Sequence, residues 1–176
     1  MTQQEGSMWE RIFSGENMQK ALVRVKGNKG AAGVDGMAVK DLSAHLKAHW
    51  PMIRAKLDAR EYEPSPVKRV MIPKADGGER QLGIPTVQDR LIQQAMHQIL
   101  SEEYDPKFSE ASYGFRPGRS AHDAVRTAQG YIESGKKWVV DMDLEKFFDR
   151  VNHDRLMSRL KLDIEDKRVL WLVNQY

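Results

Sequence analysis

The 176-residue sequence contains no cysteine, so it can form neither a disulfide bond nor a thiolate metal site. It has no apolar run as long as a signal peptide or a membrane-spanning helix requires, which predicts a cytoplasmic protein without a membrane partner. Neither sign of charge dominates, because 28 Lys and Arg face 25 Asp and Glu. With 40% hydrophobic residues, the chain can bury a core of one domain or slightly more.

Hydrophobic spacing predicts a mixed order of helices and strands, and therefore an α+β fold. Two strand patterns, 67–72 and 79–84, flank a glycine-rich turn and predict a hairpin. The last helical pattern carries an apolar face with Val169 and Leu172, which needs packing partners. The helical patterns cover 8–25 with a break at Ser14-Gly15, then 42–57, 89–100, 120–132, 153–160 and 164–176.

Two helix starts carry capping patterns. Ser120 is followed three residues later by Asp123, which resembles a capping box. Asn152 stands directly before the pattern that begins at His153, and Asn is a preferred N-cap residue. Both positions are therefore predicted helix boundaries.

The segment 138–154 reads WVVDMDLEKFFDRVNHD and carries the strongest chemical pattern in the chain. Its apolar run 138–140 is short and rich in strand formers, which predicts a buried strand ending at Asp141 and Asp143. Carboxylates two residues apart on a strand share a face, and their oxygens suit Mg²⁺. Phe147-Phe148 would then form the wall of a nucleotide pocket. The alternative is a structural strand, a solvated acidic turn and two core phenylalanines.

The predicted hairpin presents two cations. Lys74 lies near its tip and Arg80 on the returning strand. A triphosphate needs such a pair, because Arg supplies a planar fork of donors and Lys a compact charge. The alternative is a solvated hairpin whose charges keep an edge strand soluble.

Two further segments have the composition of nucleic-acid contacts. In 113–119, YGFRPGR, two arginines flank a Pro-Gly turn ahead of a helix N-terminus, which suits anions, and the aromatic rings can stack on bases. A rigid turn with exposed arginines is the alternative. Between Lys20 and Lys40, five cations face the single acid Asp35, so this basic segment predicts RNA binding.

Four blocks occur in a characteristic order: NKGAAGVDG at 28–36, VKRVMIPKADGGERQLGIPTVQDR at 67–90, SYGFRPGRS at 112–120, and the Asp143 segment. Together they closely resemble the N-terminal half of group II intron-encoded reverse transcriptases, also called maturases. The resemblance implies the fingers domain and the first part of the palm of a right-hand polymerase. The implied divisions are an N-terminal extension with a template-lid loop at 1–40, fingers at 41–136, and the start of a truncated palm at 137–176.

The resemblance also implies an activity. Members of this family are RNA-directed DNA polymerases that act by two-metal nucleotidyl transfer and aid the splicing and mobility of their intron. The implied partners are template RNA, intron RNA, a DNA primer and deoxynucleoside triphosphates, with Mg²⁺ as cofactor and a homodimer left open. No adjacent Asp pair occurs in the sequence, although the family's later palm motif has one. We therefore expect a fragment that is catalytically inactive by itself.

Carried over residue by residue, the resemblance places the catalytic metal ligand on Asp143, assisted by the Leu144 carbonyl. It places Phe148 beside the sugar 2′ position and Phe147 in the core, and leaves the roles of Asp141 and Asp149 open. The implied nucleotide contacts are Lys74, Arg80, Arg116 and Phe148, and Arg119 is an implied RNA contact. The RNA contacts predicted from the basic segment are Lys26 and Lys29.

Two other functional classes remain compatible with the sequence. One is a non-catalytic module that binds intron RNA through the basic segment. The other is a diversity-generating or defence-associated reverse transcriptase, which would share the chemistry but serve a different biological task.

Overall fold

The computed structural model describes residues 6–73, 77–144 and 146–176. The helices are α1 (Met8–Ile12), α2 (Gly15–Gly27), α3 (Leu42–Ala59), α4 (Val87–Tyr104), α5 (Ala121–Glu133), α6 (Phe147–Arg150), α7 (His153–Asp163) and α8 (Lys167–Gln175). Strands β1 (Lys68–Pro73) and β2 (Glu79–Ile84) form an antiparallel hairpin. This mixture agrees with the predicted α+β class. Within the described ranges, no helix is both long and apolar enough to cross a membrane.

The chain divides into two compact units. The first unit comprises residues 1–99 and 157–176, and the second comprises residues 100–156. The predicted division into an extension, fingers and palm follows different boundaries, at residues 40 and 136, and stays a prediction.

Helices of the first unit bury its core. The last helix begins at Lys167 rather than at the predicted residue 164, but its apolar face does find partners, because Val169 and Leu172 are fully buried. The largest fully buried side chains of this core are Trp9, Ile12, Leu42, Leu57, Leu91, Ile92, Ile164 and Leu172.

Trp9 connects three helices of the first unit. Its ring has no exposed surface and packs edge-on against Phe13, with 4.7 Å between ring centroids. Its indole Nε1 donates a 2.7 Å hydrogen bond to Oδ1 of Asp58 on α3, and its backbone N–H donates to Oδ2 of Asp166, the N-cap of α8. Trp9 therefore ties α1 to α3 and α8 through both polar and apolar contacts.

The capping predictions are confirmed. The Ser120 hydroxyl accepts from the Asp123 backbone N–H, and the Asp123 carboxylate accepts from the Ser120 N–H, which completes a capping box at α5. Hydrogen bonds from Ser120 and then Arg126 lower the pKa of Asp123 to about 2. At α7, Oδ1 of Asn152 accepts from the backbone N–H of Arg155 at 2.9 Å. The predicted helix break also holds, since Ser14 caps α2.

The predicted hairpin is confirmed, with β1 one residue from the expected start of the first strand. Val70 pairs with Leu82 and Ile72 with Arg80. Residues 74–76 at its tip, including Lys74, lie outside the described residues. The hairpin connects directly through Pro85 and Thr86 to α4.

The prediction of a buried strand at 138–140 is wrong. These residues form neither helix nor strand, and Trp138 is 94% exposed, with Val139 and Val140 similarly uncovered. A strand needs a neighbour to pair its backbone and cover its side chains, and in the described part of the chain β1 and β2 pair only with each other. Phe147 is also not a core residue, because it is 49% exposed and packs on the ring of Phe148.

We predict that Trp9→Ala lowers the free energy of unfolding by about 3–5 kcal/mol, the usual cost of truncating a buried aromatic side chain. The matched control is Trp138→Ala, which should change stability by less than about 0.5 kcal/mol because it removes an exposed ring. Urea unfolding of both variants measures the difference. A large loss of stability in Trp138→Ala would show that segment 138–140 is packed in solution.

Candidate active site and nucleic-acid interface

A buried carboxylate organises the junction between the hairpin and α4. Asp89 is 1% exposed and lies in the first turn of α4. Its backbone N–H donates to the Thr86 hydroxyl at 3.1 Å, and that hydroxyl donates back to Oδ2 of Asp89. Oδ2 also accepts from the backbone N–H of Ser65, while Oδ1 accepts from the Tyr62 hydroxyl at 2.6 Å. Asp89 thus fixes the chain that precedes β1 to the start of α4.

This network reaches the surface at an open cleft. Gln88 donates from Nε2 to the Tyr62 hydroxyl at 3.0 Å, and its Oε1 lies 2.8 Å from Nε2 of His45. The cleft encloses about 440 Å³ and is lined by residues of α3, the segment after it, and α4. Burial, followed by the hydrogen bond to Asp89, raises the pKa of Tyr62 far above its ordinary value.

The predicted RNA contacts of the first unit lie where α2 ends. Lys26 is exposed in the last turn of α2, and its Nζ lies 3.3 Å from the Ser43 hydroxyl. Lys29 follows the C-cap residue Asn28 and is exposed, with a left-handed φ of 47°. Lys26 therefore precedes the glycine-rich loop 28–36, and Lys29 is the second residue of that loop. Their contact with RNA stays a prediction.

Of the two hairpin cations, Arg80 is exposed on β2. Its cross-strand partner is Ile72. Because Lys74 lies outside the described residues, the predicted pairing of Lys74 with Arg80 on one surface stays a prediction.

In the second unit, Arg116 holds a loop together. Its guanidinium donates to the Asp105 carboxylate at 2.8 Å and to the backbone oxygens of Asp105, Ser109 and Ser112. Its side chain is almost wholly covered and lies over the ring of Phe108. The hydrogen bond from Arg116 also lowers the pKa of Asp105. The structure therefore gives Arg116 a structural role that the sequence did not reveal, and its predicted nucleotide contact stays untested.

Arg119 has a less enclosed setting. It donates to the backbone oxygen and the carboxylate of Glu110, whose side chain is largely exposed, and it lies over the ring of Tyr113. Tyr113 in turn lies 2.9 Å from the Thr127 hydroxyl on α5. The predicted contact of Arg119 with RNA would require it to exchange an exposed partner, Glu110, for a phosphate.

The predicted catalytic residues are open to solvent. Asp143 and Leu144 are exposed, as is Asp141, and Phe148 is 86% exposed at the second position of α6. In the ranges 6–73, 77–144 and 146–176, no three His, Cys, Asp or Glu side chains come together in a way that could hold a metal ion. Asp143 is thus accessible, but the described residues do not form a cluster of three possible metal ligands around it.

Sequence reasoning missed the network around Asp89, although the signal was present. Thr86 and Asp89 have the same spacing as Ser120 and Asp123, the pair that predicts the start of α5. The partners Tyr62 and Ser65 could not be found in this way, because their contacts with Asp89 span more than twenty residues.

A family model described as "Reverse transcriptase (RNA-dependent DNA polymerase)" matches residues 72–174, more than half of the chain. The chain belongs to the reverse transcriptase family. The match includes β2, α4, the Arg116 loop and Asp143. It confirms the family assignment made from the order of the four sequence blocks.

Curated relatives of this reverse transcriptase chain are similar over long segments. It is 39% identical over 152 residues to Protein YkfC of Escherichia coli strain K12, covering 83% of this chain and 40% of that protein. It is 39% identical over 116 residues to the group II intron-encoded protein LtrA of Lactococcus lactis subsp. cremoris, covering 65% and 19%. Nuclear intron maturase 1, mitochondrial, of Arabidopsis thaliana is 34% identical over 89 residues, covering 51% and 12%. The chain therefore spans less than half the length of each of these relatives.

We predict that Tyr62 makes the stability of the chain fall at alkaline pH. The unfolded tyrosine loses its proton near its ordinary pKa of 10.0, whereas folded Tyr62 keeps its proton to higher pH. The folded state therefore binds more protons above this value, and the free energy of unfolding decreases as pH rises. Urea unfolding at a series of alkaline pH values measures this effect. The free energy of unfolding should decline less steeply with pH in Tyr62→Phe than in the unaltered chain. Tyr131→Phe, which alters an exposed ring, serves as the control and should leave the decline unchanged.

We also predict that Arg116→Lys loosens the loop that Arg116 holds. Lysine keeps the positive charge but cannot reproduce a planar fork of donors to three backbone oxygens. Amide hydrogen exchange in residues 105–116 should become roughly tenfold faster or more, the equivalent of removing one hydrogen bond. Arg119→Lys is the comparison and should have a smaller effect because Glu110 is exposed. Equal effects in both variants would contradict the structural role of Arg116.

Proposed function

We propose that this chain provides the fingers and the first part of the palm of an RNA-directed DNA polymerase encoded by a group II intron. The observation that carries the proposal is the family match over residues 72–174, together with relatives named as a group II intron-encoded protein and as intron maturases. The proposed substrates are template RNA, a DNA primer and deoxynucleoside triphosphates. The proposed second task is to aid splicing and mobility of the intron RNA.

The residues divide into proposed tasks that follow from their chemistry. The Asp143 carboxylate and the Leu144 carbonyl are hard oxygen donors of the kind that Mg²⁺ prefers, and both residues are exposed and accessible to an ion. A divalent metal bound there would stabilise the developing charge on the phosphoryl group. The ring of Phe148 would occupy the space beside the sugar 2′ position. Lys74 and Arg80 would neutralise the triphosphate.

Two observations support RNA as a partner of the first unit. The basic segment from Lys20 to Lys40 contains five cations and one acid, and Lys26 and Lys29 are exposed within it. A cationic surface of this kind binds the phosphate backbone irrespective of sequence. The same surface would serve the alternative function of a non-catalytic RNA-binding module. Template-dependent nucleotide incorporation by the whole protein separates the two functions.

We predict that Asp143→Asn and Phe148→Ala have different effects in the full-length enzyme. Asp143→Asn keeps the side-chain shape but removes a metal-binding charge, so incorporation of both deoxy- and ribonucleotides should fall by about 10²-fold or more. Phe148→Ala should admit ribonucleotides with little loss of deoxynucleotide use, because discrimination at this position is steric. Single-nucleotide incorporation assays with matched deoxy- and ribonucleotides measure both effects.

Phe147→Ala is the neighbouring control for this pair of assays. It should not selectively change the choice of sugar. If Phe147→Ala relaxed sugar selection and Phe148→Ala did not, the assignment of this segment would be displaced by one residue. The role of Asp143 would then fail together with that of Phe148.

A further inference from the structure

The glycine-rich loop 28–36 packs against the start of α4 without room for a side chain. Gly33 is buried, and a Cβ atom added to it would lie 2.7 Å from Cα of Thr86, 2.8 Å from its N and 3.0 Å from the Pro85 oxygen. Real Cβ atoms are essentially never found under 3.0 Å from another heavy atom, and these neighbours are backbone atoms that cannot rotate away. Residue 33 must therefore be glycine for the loop to lie on this surface.

Arg90 contacts the same loop three residues and two residues before Gly33, at Gly30 and Ala31. Its Nη2 donates a hydrogen bond to the backbone oxygen of Ala31. A Cβ atom at Gly30 would overlap Nη1 of Arg90, so the guanidinium lies directly against the loop backbone. Its Nε is buried and has no hydrogen-bond partner within the described residues. The guanidinium of Arg90 therefore contacts the loop backbone through Nη1 at Gly30 and through Nη2 at Ala31.

The surface on which Gly33 lies is itself fixed. Thr86 is hydrogen-bonded to Asp89 through its hydroxyl, which acts both as donor and as acceptor, and both residues are buried. Asp89 and Arg90 are consecutive in the sequence. Asp89 holds the side chain of Thr86, the residue whose backbone packs against Gly33, and Arg90 donates a hydrogen bond to Ala31.

We propose that Arg90 is a positioning residue for RNA binding, which holds loop 28–36 on α4 and so orients the cation Lys29 toward an RNA backbone. This inference rests on the proposed function only in taking RNA as the partner of the basic segment. Lys29 lies two residues before Ala31, so releasing the Ala31 backbone frees the chain on one side of Lys29. The gain in affinity comes from pre-organisation, because an ordered cation loses less conformational freedom on binding a phosphate.

The test measures binding of a single-stranded oligoribonucleotide to the 176-residue chain by fluorescence anisotropy, over a range of salt concentrations. Arg90→Lys keeps the charge but lacks the fork that reaches Ala31 while lying against Gly30. We expect its dissociation constant to rise roughly three- to tenfold, which lies in the lower part of the range of coupling between neighbouring residues. The slope of the logarithm of the binding constant against the logarithm of the salt concentration should become shallower by about 0.7 for each phosphate that the variant no longer neutralises.

A double-mutant cycle separates positioning from direct binding by Arg90. If Arg90 acts through the loop, Lys29→Glu should weaken binding less in the Arg90→Lys background than in the unaltered chain. Strictly additive effects would overturn the proposal, because they would mean that the two residues act independently. An unchanged dissociation constant in Arg90→Lys would overturn it as well.

Glycine variants and hydrogen exchange give an independent test of the same packing. Gly33→Ala should weaken RNA binding and accelerate amide exchange in residues 28–36. Gly27→Ala is the matched control, because a Cβ there meets no atom within 4 Å. If Arg90→Lys left amide hydrogen exchange in residues 28–36 unchanged, the positioning role would be refuted, whatever the effect of the variant on RNA affinity. If the unaltered chain failed to bind RNA at low salt, the proposed RNA partner of the basic segment would fall, and the exchange data would still show whether Arg90 holds the loop.

Discussion

The hydrogen bonds to the Asp89 carboxylate determine the arrangement of much of the first unit. A buried carboxylate is costly unless its oxygens are satisfied, and here hydroxyl and backbone donors from Thr86, Ser65 and Tyr62 meet that requirement. Tyr62 and Ser65 lie between α3 and β1, whereas Thr86 lies between β2 and α4. The hairpin is therefore anchored at both of its ends, because Ser65 precedes β1 and Thr86 follows β2.

The position of the glycine-rich loop depends on Asp89 indirectly, through Thr86. Gly33 lies on the backbone of Thr86, which Asp89 holds. Of the proposed RNA-binding cations, Lys29 belongs to that loop and Lys26 precedes it. Arg80 lies on β2, the strand that leads to Thr86. A single buried acid thus supports two cationic regions of the first unit, one proposed to bind RNA and the other proposed to bind the nucleoside triphosphate.

Local patterns were sufficient to predict the longer helices, the caps at Ser120 and Asn152, and the hairpin, but not the four-residue helix α6. The spacing of apolar residues along α3 and α4, and the pairing of Ser120 with Asp123, depend on neighbours within a few residues. Segment 138–140 shows the limit of this reasoning. Its composition favours a strand, but a strand becomes stable only when another part of the chain supplies hydrogen bonds and covers its side chains. In the described structure nothing pairs with 138–140.

The candidate site was predictable to a similar extent. The four sequence blocks were sufficient to identify the family, and the family match confirms it. The structural partners of Arg116 and Asp89 were not predictable, because whether a charged residue turns inward depends on donors and acceptors brought together by the fold. The charge of Arg116 suggested a nucleotide contact in the sequence. In the structure its guanidinium forms an ion pair with Asp105 and donates hydrogen bonds to backbone oxygens.

The exposed stretch 138–144 has a consequence for how the chain behaves in solution. It combines β-forming residues with high hydrophobicity, which is the composition of segments that associate between copies of a protein. Asp141 and Asp143 interrupt it, and charges placed in this way act as gatekeepers against aggregation. Without them, seven consecutive residues would carry no charge. The acidic residues in this stretch therefore protect solubility as well as serving any chemistry, and loss of soluble protein must be separated from loss of activity when they are altered.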